Sequence, residues 1–241
     1  MVDTRQSEAR SKMLRRSAGE IKRYRRAIQF IKATVSLLIV AVTITYIASA
    51  LYSRTGNFTV GINKFEDYGL SLCEEQNFLH PQTQLVAKAH DNVTNMSVLD
   101  LPTDLDSPAT GGSHNGKNHL AYTFFLKNSG ELTVTYEFYV YITNVTNEVD
   151  RAVRIRVYRN GVYTDYARSA SDGSGAEPGT TAFMSDSIVC REQLSDFAPG
   201  QITRYTVVIW VEGDDPDCLD HLIGGQIKVG ATMSVVTPDG E

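Results

Sequence analysis

The chain has 241 residues, enough for one sizeable domain, and at 42% hydrophobic and 21% charged it is too apolar to be disordered throughout. Its net charge of −5 is unevenly spread: residues 1–32 hold ten Lys/Arg against three acids, +7, whereas the rest holds 13 against 25, −12. A basic head on an acidic body would suit a nucleic-acid-binding arm, but the uncharged segment that follows points to a membrane instead, so no nucleic-acid partner is expected.

From Ala33 to Ser53 there are 21 uncharged residues, rich in Val, Ile, Leu and Ala. About 20 such residues in a helix cross a hydrocarbon core of about 30 Å. The basic residues before the segment predict that 1–32 stay in the cytoplasm and that 54–241 are exported. Ala48-Ser49-Ala50 carries small residues where a signal peptidase reads. Cleavage near Ala50, giving a secreted domain, and retention as a single-pass signal anchor both fit the residues.

Beyond Arg54 the apolar period becomes two, the mark of half-buried strands. Strands are predicted at Phe58–Ile62, Gly69–Cys73, Leu85–Ala89 and His119–Lys127. The clearest alternation follows: Leu132, Val134, Tyr136, Phe138, Val140 and Ile142 on one face, with Thr133, Thr135, Glu137, Tyr139 and Tyr141 on a wet, aromatic face. Val153, Ile155 and Val157 alternate with Arg154, Arg156 and Tyr158, again read as apolar against wet. Asn160-Gly161 then signals a two-residue hairpin, because both residues tolerate positive φ. Val162–Tyr166, Ile202–Val211 and Gln226–Val236 complete the set. Asp104–Lys117 and Ser169–Thr181 read as surface loops, and Lys64–Tyr68 or Ser187–Leu194 as a short helix. The pattern predicts an all-β, antiparallel, jelly-roll-like β-sandwich preceded by one transmembrane or signal-anchor helix.

No catalytic constellation stands out. The run from Glu212 to His221 is the densest acidic stretch, and Asp214, Asp215, Asp217 and Asp220 are candidate oxygen ligands for calcium; a solvated turn joining two strands is the competing reading. In an oxidising exterior Cys190 and Cys218 would close a loop of about 28 residues and add about 3 kcal/mol, with Cys73 left over; three free thiols are the alternative. No spacing suggests zinc.

Three stretches carry a family resemblance. Thr45-Tyr46-Ile47-Ala48, then Gly56-Asn57-Phe58-Thr59-Val60-Gly61 and Leu70-Ser71-Leu72, resemble the export and first-strand region of the TasA/camelysin family of bacterial surface and biofilm-matrix proteins (Firmicutes). Tyr122 to Phe138, with Lys127-Asn128-Ser129-Gly130 at its turn, resembles a strand–turn–strand unit of that group. Tyr205 to Cys218, continued by Gly224-Gly225-Gln226-Ile227-Lys228, resembles a terminal signature of related chains. The resemblance implies a jelly-roll domain, a dedicated signal peptidase, and self-association in which an N-terminal strand completes a neighbour's sheet. Some members are called metalloproteases, but the zinc-ligand motif for that label is missing here; the long basic head and the cysteines also depart from the pattern. The expectation is a non-enzymatic cell-surface or matrix protein acting by assembly or adhesion. The alternatives are an exported peptidase or glycan-acting hydrolase, or a carbohydrate- or metal-binding module.

Overall fold

The computed structural model describes residues 29–47, 56–63, 69–107 and 111–236. The chain divides into two units, Met1–Arg54 and Thr55–Glu241. In the first, Gln29–Ile47 forms helix α1, long and apolar enough to span a membrane or to serve as a signal sequence. It starts four residues before the uncharged segment and takes in Lys32. Its 19 residues rise about 28 Å. The hydroxyls of Thr34, Thr43 and Thr45 donate to the carbonyls of Phe30, Ile39 and Ala41, one turn back. These three hydroxyls are thereby satisfied by the helix itself, which suits a lipid environment. The candidate cleavage site at Ala50 lies outside the described residues, as does the possible helix at Lys64–Tyr68.

The second unit is built of strands: β1 (Phe58–Asn63), β2 (Leu70–Cys73), β3 (Gln84–Val86), β4 (Gly112–Ser113), β5 (His119–Asn128), β6 (Val134–Val145), β7 (Val153–Arg159), β8 (Val162–Ala167), β9 (Thr181–Ala182), β10 (Ile188–Phe197), β11 (Ile202–Val211) and β12 (Ile227–Val235). One sheet has the order β10-β6-β12-β1-β3; the other runs β2-β5-β11-β7-β8-β9, with β4 also paired to β5. Their facing sides make a sandwich core dominated by aromatic rings. Phe138 stacks on Tyr205 at 4.5 Å between centroids, and Tyr205 stacks on Phe124 at 5.5 Å. The hydroxyls of Tyr136 and Tyr205, both buried, bond to each other at 2.8 Å, so neither polar tip is left unpaired in the core.

Several expectations hold. Val134 to Ile142 alternate buried and half-buried as read, and Asn160 and Gly161 take φ of 50° and 91°, closing the β7–β8 hairpin. Others need correction. The sheets are mixed, because β1 pairs in parallel with β12 and β8 with β9. β1 and β12 are the first and last strands, so no hairpin forces them to be antiparallel. Leu132 precedes the strand and is 73% exposed. Ser187–Leu194 is not a helix but mostly β10, registered from Ile188↔Tyr141 to Phe197↔Val134 along β6; pairing with an open strand edge overrides the local pattern. The expected free edge of Phe58–Ile62 is closed on both sides, by β12 and β3. Tyr158, read as exposed, is buried.

Candidate functional site

Tyr158 is buried because the outer face of the larger sheet is covered. Along β7, Ile155 and Val157 point to the sandwich core; along β11, Tyr205, Val207 and Ile209 do the same. The alternate residues Tyr158, Val208 and Trp210 join Ala121 of β5, Leu101 and Leu105 in a second apolar cluster. The segment carrying Leu101 and Leu105 is pinned at both ends. The Glu212 carboxylate accepts hydrogen bonds from Val98 N at 3.0 Å and from Trp210 Nε1 at 3.0 Å. Asp106 accepts from the Arg204 guanidinium at 2.9 and 2.8 Å and from the Thr206 hydroxyl at 2.6 Å. The stretch from Asp104 is therefore no free surface loop at its start: Leu105 is buried, and Gly112–Ser113 form β4.

Beside this cluster lies a cleft of about 680 Å³, walled by β7, β8, the 170–180 loop and residues 210–217. Two of its charged residues, Arg154 and Arg156, are ones read as wet. Arg156 is buried, and its Nε and Nη2 donate to the two oxygens of Asp165 at 2.6 and 2.8 Å. Its guanidinium lies 4.0 Å from the Tyr163 ring centroid and 5.7 Å from that of Trp210. Burial works against its charge, and the bonds to Asp165 and Tyr158 more than offset that, holding its pKa above the usual arginine value.

Arg154 is deeper. Its Nη2 lies 2.5 Å from Asp215 Oδ2 and 3.6 Å from Glu177 Oε2, with all three side chains at most 6% exposed. Its Nη1 is buried and has no hydrogen-bond partner. Asp215 Oδ1 accepts from Asp217 N at 2.7 Å, which ties the 212–217 turn to itself. The Asp217 carboxylate accepts from the Ser171 backbone N at 3.1 Å and from the Ser171 hydroxyl, which joins that turn to the 170–180 loop. Glu177, Asp215 and Asp217 bring carboxylate oxygens within 4.8 Å of one another. Burial first, then the negative charge of Asp215, pushes the Glu177 carboxyl above the usual range.

Of the four aspartates proposed as ligands, the structure brings Asp215 and Asp217 together with Glu177. Asp214 lines the cleft but is exposed and accepts from the Ser97 hydroxyl at 2.7 Å. Asp220 is exposed at the start of a 3-10 turn and does not line the cleft. A cation at the cluster, calcium included, would be held by Glu177, Asp215 and Asp217, and Arg154 Nη2 already stands among them.

Cys73, Cys190 and Cys218 are all free, the alternative to a Cys190–Cys218 bridge. Cys190 is buried in the sandwich core on β10, where burial pushes its thiol up to about 12. Cys218 sits in the loop after β11, its Sγ accepting from Asn95 Nδ2 at 3.4 Å. One belongs to the inter-sheet core and the other to the acidic loop, so spacing along the chain says nothing of their separation.

No family model and no curated protein matches the chain. Solved structures similar to part of it include a β-glucosidase from Kluyveromyces marxianus in complex with glucose, at 12% identity and TM-score 0.24, covering 71% of this chain and 16% of that one. A selenomethionine-labelled form of that enzyme gives 11%, 0.26, 70% and 17%, and an α-xylosidase from Xanthomonas citri gives 12%, 0.24, 75% and 18%. The chain spans less than a fifth of the length of each, and likenesses this weak carry no argument about its fold or its function.

Proposed function

We propose that the chain is a surface-displayed, non-enzymatic module, with residues 1–32 in the cytoplasm and the β domain outside, acting by adhesion or assembly. The observation that carries this reading is the apolar helix α1, preceded by a +7 head and followed by a β-sandwich. The resemblance to biofilm-matrix proteins supports it, and with it processing near Ala50 by a dedicated signal peptidase. Assembly on this reading uses β1. A six-residue parallel ladder to β12 holds one edge of that strand and residues 83–87 hold the other, so a neighbour reaches it by displacing the shorter segment. The test is made on intact cells carrying epitope tags at both ends of the full chain. Added protease should remove the C-terminal tag and spare the N-terminal one, and loss of the chain should reduce cell–cell or cell–surface attachment. Protection of the C-terminal tag, or attachment that does not depend on the chain, overturns the proposal.

One observation favours a second reading, a glycan-acting hydrolase. Glu177 has a raised pKa and sits within reach of two further carboxylates, the setting of a general acid beside a partner. Turnover of a glycan by the purified chain, lost in Glu177→Gln, would establish it; no turnover would leave adhesion as the account.

A further inference from the structure

We infer that the cleft on the outer face of the larger sheet is a saccharide-binding site, which deepens the reading of a non-enzymatic surface module and names the chemistry of its ligand. The inference starts from the mismatch at the cleft's base. Arg154 Nη1 is an N–H donor with no acceptor, on a side chain that is only 6% exposed. A buried donor left unmet is costly. Around it stand Glu177, Asp215 and Asp217, three acceptors with one guanidinium between them.

Each simple ligand class meets only half of this. An anion would satisfy Arg154 but face a net charge of about −2 from the three carboxylates and one guanidinium. A metal ion would suit the carboxylates, yet Arg154 Nη2 lies 2.5 Å from Asp215 Oδ2, and Nη1 would remain unmet. A bare ammonium group likewise offers Arg154 no acceptor. A hydroxyl does both at once: it donates to a carboxylate and accepts from a guanidinium. A ligand with several hydroxyls on a rigid ring is therefore the one whose donors and acceptors match.

The rest of the cleft fits that size and shape. Its volume of about 680 Å³ falls among small-molecule sites, commonly about 300–1,000 Å³. Tyr163 at the rim is 52% exposed, and the Arg156 guanidinium, 4.0 Å from its centroid, fixes the ring in place. The ring offers an apolar surface to the C–H face of a sugar. Of the 170–180 loop's glycines, Gly179 lines the cleft, at φ of 74° and with open space where a side chain would stand.

Trp210 is the chain's single tryptophan and lines the cleft, which makes it an intrinsic probe. The full chain in detergent micelles is titrated with neutral oligosaccharides of glucose, galactose, mannose and N-acetylglucosamine, and separately with calcium, inorganic phosphate and spermine. At least one neutral oligosaccharide should change Trp210 fluorescence saturably below about 10 mM. Tyr163→Ala and Glu177→Gln, each checked for a cooperative thermal transition no lower than the parent's or read by nuclear magnetic resonance of the bound sugar, should weaken it about tenfold. Saturation by calcium, phosphate or spermine with none by any oligosaccharide overturns the inference, as does sugar binding that both variants leave unchanged. The recovered oligosaccharide should be intact; its cleavage would end the non-enzymatic reading while leaving the saccharide site in place.

Discussion

Toward the smaller sheet, strands β5, β7 and β11 present Tyr122, Phe124, Ile155, Tyr205 and Val207; on the opposite side β7 and β11 present Arg154, Arg156, Tyr158 and Trp210. Both sides are buried. The first is closed by another sheet and needs volume, apolar surface and a partner for each tyrosine hydroxyl, so its aliphatic and phenylalanine members are interchangeable within limits of packing. The second is closed by loops, and its arginines are tolerated because each has an opposite charge beside it, Asp165 for Arg156 and Asp215 and Glu177 for Arg154, with Arg154 Nη1 left without an acceptor. Alternation along a strand thus separates two sets of side chains without saying which of them reaches water.

The largest effect that could break this comparison is in the inter-sheet core. Phe138→Ala should cost about 3–5 kcal/mol, because Phe138 is wholly buried and stacked on Tyr205. Tyr139→Ala, one pleat over and only half-buried, should stay within about 1 kcal/mol by chemical denaturation. Equal losses at the two positions would mean that the outer face of the smaller sheet is covered too.

On the charged side, Asp165→Ala should cost about 1.5–3 kcal/mol by leaving Arg156 buried without its carboxylate. Adding Arg156→Met should recover most of that loss, since an apolar pair needs no partner. If the double variant is no more stable than the single one, the stack with Tyr163 outweighs the ion pair.

A smaller, pH-dependent effect belongs to Glu177. Its pKa is raised in the folded chain, chiefly by burial, so folding binds its proton more tightly than the unfolded state does. The associated stability is present below the usual carboxylate range and is lost as pH rises through the raised value. Glu177→Gln, which cannot ionise, should melt higher than the parent at neutral pH and no differently in acid. A variant that melts lower at neutral pH would show that attraction to Arg154 outweighs burial.

What the sequence revealed, and what it hid, follows from the range of the interactions. Asn160-Gly161 and the face from Val134 to Ile142 were legible because turn chemistry and strand period are local. The parallel pairing of Phe58 with Val229 joins the two ends of the domain, and no hairpin signal announces it. Glu177 escaped notice in a Gly- and Ser-rich stretch, since its partners Arg154 and Asp215 lie far from it along the chain. Arg154 and Arg156 were read as wet because charge usually means solvent, and only the fold shows the acids that make their burial tolerable. Asp215 and Asp217 were picked out by acid density, which also drew in Asp220, a residue of no consequence to the cleft.

The account depends most on the outer face of the larger sheet being closed, and Trp210 reports on that face alone. It is 2% exposed and donates to Glu212. In the full chain in detergent micelles, its emission should be blue-shifted relative to the unfolded chain and resistant to quenching by iodide, and both properties should disappear on unfolding. Emission at the position of free tryptophan, with full quenching in the folded protein, would contradict the account.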